Sequence, residues 1–403
     1  MLRSRFLHLL WDMENSNEKA CLCALNRLFG FTPKAGLALI SHLGSASDIF
    51  RMSPEELEEV LGPYSKHAKE LGMAAVEQAA EELHRLEETG IGFTGWTEEG
   101  YPPLLRECED APIGLYIRSV TPAEELWKPR RSIAVIGTRD ISPYGREWCE
   151  RMVTELSHTS DKPLIVSGLA LGTDICAHKT ALETGLPTVA VMATGPETIY
   201  PYRHREIAER ICSTPGCALI TDYPPGTSPL AVNFLRRNRI IAGMSDTTIL
   251  VESKMKGGGM MTSRLAFSYN REVYALPGRI DDIRSQGCNS LIRSKIAEPV
   301  TSLEGLIESL GLENPSGKSY RNVVEIVREA FGQILPDEDL NAVADVLSVI
   351  RKSRGITLDD LASACGLGYG KTADAVGMLE TEGLISVDLL QRCCINPKKI
   401  RQI

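Results

Sequence analysis

The chain predicts an α/β fold, a mostly parallel sheet interleaved with helices, with a helical segment before it and a small mixed segment after it. Three observations carry that reading. From Ser132 onward, short β-branched runs alternate with helix-like stretches, the order expected of βαβ units. Val135-Ile136-Gly137-Thr138-Arg139 and Val166-Ser167-Gly168-Leu169-Ala170-Leu171-Gly172-Thr173-Asp174 each pass from a strand through a glycine turn toward a helix. Phe234-Leu235-Arg236-Arg237-Asn238-Arg239-Ile240-Ile241-Ala242-Gly243 adds three arginines to the same region.

The first 95 residues read as helical. Glu18–Leu28 and Lys34–Leu43 carry apolar residues at helical spacing around Phe29-Gly30-Phe31-Thr32-Pro33, and Gly44 stops the second helix before Ser47–Phe50. Ser53-Pro54-Glu55-Glu56 opens another helix with an N-cap, a first-turn proline and early acids. The pattern is that of a small SAM-like or helix-hairpin-helix domain, and its wealth of glutamate favours a packing or partner role over phosphate binding. Residues 96–130, with Tyr101-Pro102-Pro103-Leu104-Leu105 and Ala111-Pro112-Ile113-Gly114-Leu115-Tyr116, read as an irregular linker.

Residues 131–312 form the α/β domain, with strands expected at Ile133–Ile136, Leu164–Val166, Thr188–Met192, Ala218–Thr221, Thr247–Val251 and Glu272–Leu276. Their carboxyl ends bring up Gly137, Ser167, Ala193, Asp222 and Glu252, where open parallel sheets bind ligands. Glu313-Asn314-Pro315-Ser316-Gly317-Lys318 begins a linker over 313–338. Residues 339–403 then give helices at Leu340–Ile350, Thr357–Ala364 and Lys371–Glu382, with strands at Leu384–Asp388 and near Cys393–Ile395, the order of a winged helix. Its third helix offers Lys371 beside Asp374, a poor surface for reading bases, which leaves a protein-interaction use equally open.

Composition sets the outer limits. At 403 residues the chain needs two or three domains, and 43% hydrophobic with 24% charged residues is ordinary for a soluble protein. The net charge of −9 argues against a surface that coats nucleic acid everywhere, while leaving room for a local basic channel. The 11 cysteines are scattered, with Cys21-x-Cys23 and Cys393-Cys394 as the close pairs, so reduced, packed thiols are expected in place of disulfides or a zinc site. No apolar run is long enough to span a bilayer, and Met1–Trp11 holds Arg3, Arg5 and His8 without a cleavage motif, so the expected location is the cytoplasm.

The glycine turns define an anion site. Gly137 turns the backbone off its strand so that Thr138 and Arg139 present a hydroxyl, N–H groups and a guanidinium that can fork onto one phosphate. Ser167, Gly168 and Gly172 make a second cradle, which lacks the Gly-Lys-Ser/Thr of a nucleoside-triphosphate loop, so hydrolysis of ATP is unsupported. Asp174 and His178 stand one turn apart, and with no third ligand or nucleophile they read as a cap and a packed histidine. Arg236, Arg237 and Arg239 cannot share one helix face; Arg237 and Arg239 are the expected backbone contacts, with Asn238 holding the loop. Lys254 and Lys256 precede Gly257, Gly258 and Gly259, a further flexible loop leading to a helix at Thr262–Tyr269. Several such loops on one rim make a groove suited to a strand of linked phosphates.

These motifs, with Tyr223-Pro224-Pro225-Gly226-Thr227, Ala275-Leu276-Pro277-Gly278 and Gly287-Cys288-Asn289-Ser290-Leu291-Ile292-Arg293, resemble the DprA/Smf family of bacterial DNA-processing proteins. The resemblance implies an extended Rossmann-like domain, flanked by the helical and winged domains, that binds single-stranded DNA and helps load the RecA recombinase on it during natural transformation. It implies no catalysis, metal or cofactor. By that likeness Gly137, Arg139, Ser167, Gly168, Gly172, Arg237, Asn238 and Arg239 line the DNA site, and a homodimer forms through Leu291, Ile292 and Ile296. Leu171 and Leu235 stand where many relatives carry a basic residue and a proline, so that one phosphate contact is either lost, with modest affinity, or supplied by Lys179.

Two other classes compete. A nucleotide-processing enzyme of the phosphoribohydrolase type would share the fold, but Gly257-Gly258-Gly259-Met260-Met261-Thr262 lacks the glutamate of that signature. A transcriptional regulator led by the winged segment would have to read bases with the helix that carries Asp374.

Overall fold

The structure is a computed structural model that describes residues 17–62, 64, 65, 67–128, 130–313, 323–353, 355–388 and 391–395. Met1–Trp11 and Asn314–Lys318, discussed above from sequence, lie outside them. The chain divides into two compact units, residues 1–303 and 304–403.

The first unit opens with helices α1 (17–29), α2 (Pro33–Leu43), α3 (Ala46–Ile49), α4 (Pro54–Leu61) and α5 (Met73–Glu87). Ser53 closes a capping box with Glu56 at the head of α4, and Gly44 ends α2 in the left-handed region at φ +89°. Next come β1 (Ile91–Gly95), α6 (Pro103–Arg106), β2 (Gly114–Arg118) and α7 (Ala123–Leu126). The alternating part holds β3 (Ser132–Ile136), α8 (Pro143–Ser157), β4 (Leu164–Ser167), α9 (Thr173–Thr184), β5 (Thr188–Val191), α10 (Arg205–Ser213) and β6 (Ala218–Thr221). It continues through α11 (Ala231–Gly243), β7 (Thr247–Leu250), α12 (Gly258–Ser268), β8 (Glu272–Ala275), α13 (Gln286–Arg293), β9 (Glu298–Pro299) and α14 (Leu303–Ser309), the last crossing the unit boundary.

Nine strands form one sheet in the order β1-β2-β6-β5-β4-β3-β7-β8-β9. Pairing is parallel from β6 across to β9, with Ile133 facing both Ile165 and Thr247, and antiparallel where β2 joins β6 and β1. Strands β3 to β7 are buried at every position, the mark of a parallel sheet covered on both faces. The chain lays β4, β5 and β6 on one side of β3 and returns to lay β7 and β8 on the other. That reversal puts the ligand crevice beyond the tips of β3 and β7.

The segment 96–130, expected to be an irregular linker, is instead structural. β2 is nearly all buried and pairs on both edges, and Ile91–Gly95, expected to belong to the helical region, forms β1 and extends the sheet to nine strands. The helical region also shares one core with the sheet, in which Leu22, Leu25 and Phe29 join Tyr116, Val189 and Ile220.

The second unit holds α15 (Val323–Phe331), α16 (Asp337–Lys352), β10 (Ile356–Thr357), α17 (Leu358–Cys365), α18 (Tyr369–Thr381), β11 (Ile385–Val387) and β12 (Arg392–Ile395). Its antiparallel sheet runs β10-β12-β11, and Val327, Leu347, Leu361, Leu379 and Cys393 fill its core. Lys371 and Asp374 are both exposed on α18. Among the described residues no helix is long and apolar enough to cross a membrane.

Candidate nucleic-acid interface

The loops at the carboxyl ends of β3, β4 and β7 are fastened into one rim. The Thr173 backbone N–H donates to Thr138 O at 3.1 Å, tying the β3–α8 loop to the head of α9. Gly172, at φ +77°, sits where a Cβ would run into the Thr138 carbonyl, so both its backbone angle and the close approach require glycine. Glu252, beyond the end of β7, accepts from the Ser142 backbone at 2.9 Å and from its hydroxyl at 2.5 Å, while Ser142 Oγ accepts from the Gly145 N–H. That buried carboxylate therefore holds the entry of α8 and, with it, the Thr138-Arg139 turn. Arg284 completes the fastening through Asp140 at 2.7 Å.

Arg139 projects from this turn into solvent. Its guanidinium carbon lies 5.0 Å from the centre of the Phe234 ring, and it makes no ion pair with any described residue. Phe234 also meets Tyr200 edge-on at 5.5 Å. An unneutralised guanidinium resting on an aromatic face has its remaining donors free for an anion.

The three arginines of α11 have three different fates. They lie inside a helix, and helical geometry sends them to different sides, as their spacing requires. Arg237 is buried beneath the β4–α9 loop, where Nη1 donates to Gly168 O at 2.6 Å and to Val191 O, and Nε donates to Asn238 Oδ1 at 3.3 Å. Burial lowers its pKa to about 10, with Asp174 opposing the shift. A Cβ on Gly168 would lie 2.5 Å from that guanidinium, so glycine leaves the space the arginine fills. Arg239 is also buried, paired to Asp222 at 2.5 Å and donating to Asp110 O at 2.6 Å. The expectation that Arg237 and Arg239 reach DNA phosphates is therefore corrected: both side chains are buried and donate to internal acceptors, and Asn238, only 9% exposed, supports Arg237 from the helix. Arg236 is half-buried and free of carboxylates, with Nη2 donating to Gly30 O and the guanidinium 4.0 Å from the Phe31 ring centre.

Under the second cradle, His178 is fully buried, with Nδ1 and Thr188 Oγ1 2.7 Å apart and Nε2 lacking a partner. Burial, with His204 and Arg237 nearby, lowers its pKa to about 3. Asp174 is buried as well; desolvation raises its pKa, and Arg237 and the Ala170 N–H pull it back. His178 is thus a packed histidine, whereas the expected cap is corrected: the N-cap of α9 is Gly172 without a side-chain cap, and Asp174, in the first turn, accepts from the Ala170 N–H at 3.3 Å.

Gly137 and Thr138 are half-buried, Ser167 and Gly168 are buried, and Gly258 is exposed at the head of α12. Ser167 spends its hydroxyl on Val135 O at 2.7 Å, so the cradle shapes the loop more than it offers a hydroxyl to a ligand. Lys179, Lys254 and Lys256 are exposed, and their ammonium groups form no ion pair among the described residues. Leu171 is half-buried and Leu235 is 48% exposed. The proposed dimer contact needs a correction too. Leu291 has 0% exposure and packs in the core, leaving no surface for a partner, whereas Ile292 and Ile296 are partly buried against that core.

Sequence reasoning overlooked the partners that sort these arginines, Asp222 above all, and it overlooked the Gly30-Phe31 turn as a neighbour of Arg236. The second had a faint signal in a phenylalanine flanked by glycine and Thr-Pro, a turn that leaves an aromatic ring at the surface.

Fold and rim define an α/β protein with a parallel sheet whose crevice edge carries glycine turns and unpaired cations. The chain belongs to the DNA recombination-mediator protein A family, whose model matches residues 92–311. It is 38% identical to Protein Smf of Escherichia coli over 53% of this chain and 54% of that one, so the match spans about half of that relative. It is 28% identical to Protein Smf of Synechocystis over 93% of this chain and 98% of that one. The X-ray structure of DNA processing protein A from Streptococcus pneumoniae is similar with a TM-score of 0.58, 27% identity and coverage of 73% of this chain and 95% of that one. The family is one of DNA recombination mediators, and a relative from Streptococcus pneumoniae, 36% identical over 51% of this chain and 69% of that one, is a DNA processing protein, which favours DNA handling over the nucleotide-processing alternative.

Proposed function

We propose that the rim holds single-stranded DNA and presents it to a RecA-type recombinase, as in the uptake and recombination of incoming DNA. The observation that carries this is Arg139: an exposed guanidinium without a carboxylate partner, set on Phe234 at 5.0 Å and directly beyond the sheet's reversal point. A phosphate can take its donors while a neighbouring base meets the aromatic edge of Phe234 and Tyr200. Thr138, Gly137, Gly172 and Gly258 supply backbone and close approach, and Lys179, Arg236, Lys254 and Lys256 supply charge along the groove. Arg237, Asn238, Arg239, Ser167 and Gly168 act one layer below, holding the loops in place.

The helices of the first 95 residues fit a SAM-like or helix-hairpin-helix module, and α16 to α18 with β11 and β12 fit a winged helix whose exposed Lys371 and Asp374 suit a protein partner better than a DNA groove. A homodimer at this end of the domain uses Ile292 on α13 and Ile296 just beyond it, without Leu291. The function is tested by gel shift on single and double strands at two salt concentrations. The reading expects tighter, salt-sensitive retention of single strands and a weakening of about tenfold for Arg139→Ala. Equal retention of both forms, or no effect of Arg139→Ala, contradicts it.

A further inference from the structure

We infer that the helical domain contributes a base-stacking position to the DNA groove, formed by Phe31 over Arg236. This rests on the single-strand-binding reading above and deepens it by extending the groove across a second domain. Phe31 is 71% exposed, yet it is held in place. Phe29 on one side is fully buried and Pro33 on the other is buried at the head of α2, while the Thr32 N–H donates to Phe29 O at 2.7 Å. Gly30 follows directly on the last turn of α1, so the turn springs from the end of a helix whose residues Leu22, Leu25 and Phe29 are buried. An exposed ring on a fixed turn keeps one face for a ligand without first having to be ordered.

The other face of Phe31 lies on the Arg236 guanidinium, 4.0 Å from its carbon to the ring centre, and Tyr223 lies beyond at 5.7 Å. Arg236 is anchored by Gly30 O and makes no ion pair with any described residue, so its charge is unneutralised. Charge, fixed aromatic face and remaining donors thus converge at one point, two residues along α11 from Phe234 and its Arg139 contact. One helix therefore carries two pairings of an unneutralised guanidinium with an aromatic ring, one fed by the β3–α8 loop and one by the helical domain. Exposed Leu235 lies between the two, so a single strand crossing α11 at that point meets both, placing a phosphate against Arg236 and a nucleobase on Phe31.

The test uses the full chain and fluorescence anisotropy with two labelled probes of equal length, an oligothymidylate and the same strand made of abasic sites. Phe31→Ala is expected to weaken binding of oligothymidylate about five- to tenfold, since one base–aromatic stack is removed, and to leave binding of the abasic strand unchanged. Phe31→Trp, which keeps an aromatic face, should restore the oligothymidylate affinity. Unchanged affinity for oligothymidylate in Phe31→Ala, or an equal loss on both probes, overturns the stacking position while leaving the wild-type groove intact. A wild-type protein that binds neither probe removes the single-strand reading and this inference with it.

Discussion

Replacing Arg239 by alanine should damage folding far more than DNA contact. Its guanidinium is paired to Asp222 at 2.5 Å, the two side chains are 8% and 4% exposed, and a further N–H goes to Asp110 O at 2.6 Å. Asp222 Oδ1 already lacks a hydrogen-bond partner, so the carboxylate left behind has little to compensate it. Leaving one member of a buried pair alone costs about 3–5 kcal/mol. With a urea dependence of about 3 kcal/mol per molar, the unfolding midpoint should drop by about 1 to 2 M. The double variant Asp222→Leu with Arg239→Met removes both charges and should recover most of the loss. Urea titration followed by circular dichroism reads the midpoint, and anisotropy in the absence of urea reads DNA affinity on the same samples. A midpoint within about 0.3 M of wild type combined with lost DNA affinity would refute this assignment of Arg239 to the interior.

Arg139→Ala should behave in the opposite way, keeping the midpoint while lowering the slope of log affinity against log salt by about one, as anisotropy from 50 to 200 mM salt would record. Leu291→Glu should destabilise the chain by about 3 kcal/mol or more because it buries an unpaired carboxylate, whereas Ile292→Glu, at a half-buried position, should cost about 1 kcal/mol; light scattering on Ile292→Glu then reads the dimer proposal. His178 provides a pH prediction. Its folded pKa of about 3 lies below the ordinary 6.5, so the unfolded chain takes up the proton first. The stabilisation is fully present above pH 6.5 and is lost as pH falls toward 3, by about 1.4 kcal/mol per pH unit between these limits. Urea midpoints at pH 7 and pH 5 should show His178→Gln losing about one proton's worth of this dependence.

The central strands were legible because their burial is two-sided, which turns Ile133–Ile136 or Thr247–Leu250 into unbroken apolar and β-branched runs bounded by glycine or polar turns. β1 and β2 were not, since Gly92, Gly95 and Gly114 and the prolines at 102, 103 and 112 read as punctuation. Two of those glycines serve close packing: a Cβ at Gly114 would overlap the Phe93 ring, and one at Gly95 would overlap Leu22. The site was legible as a cluster of loops, because a strand end followed by glycine is a local signal. Which arginine faces outward was not, because Gly168 O, Val191 O and Asp222 capture Arg237 and Arg239 across 17 to 69 residues of sequence.

The central claim is that unpaired cations along the sheet's crevice edge grip a single strand of phosphates. Its most direct measurement is the affinity of the full chain for an unlabelled oligothymidylate, in competition with a duplex of equal length, across a salt series. The account predicts preference for the single strand and a steep linear fall of log affinity with log salt that Arg139→Ala and Arg236→Ala each make shallower. A salt-independent affinity, or slopes identical in all three proteins, would contradict it.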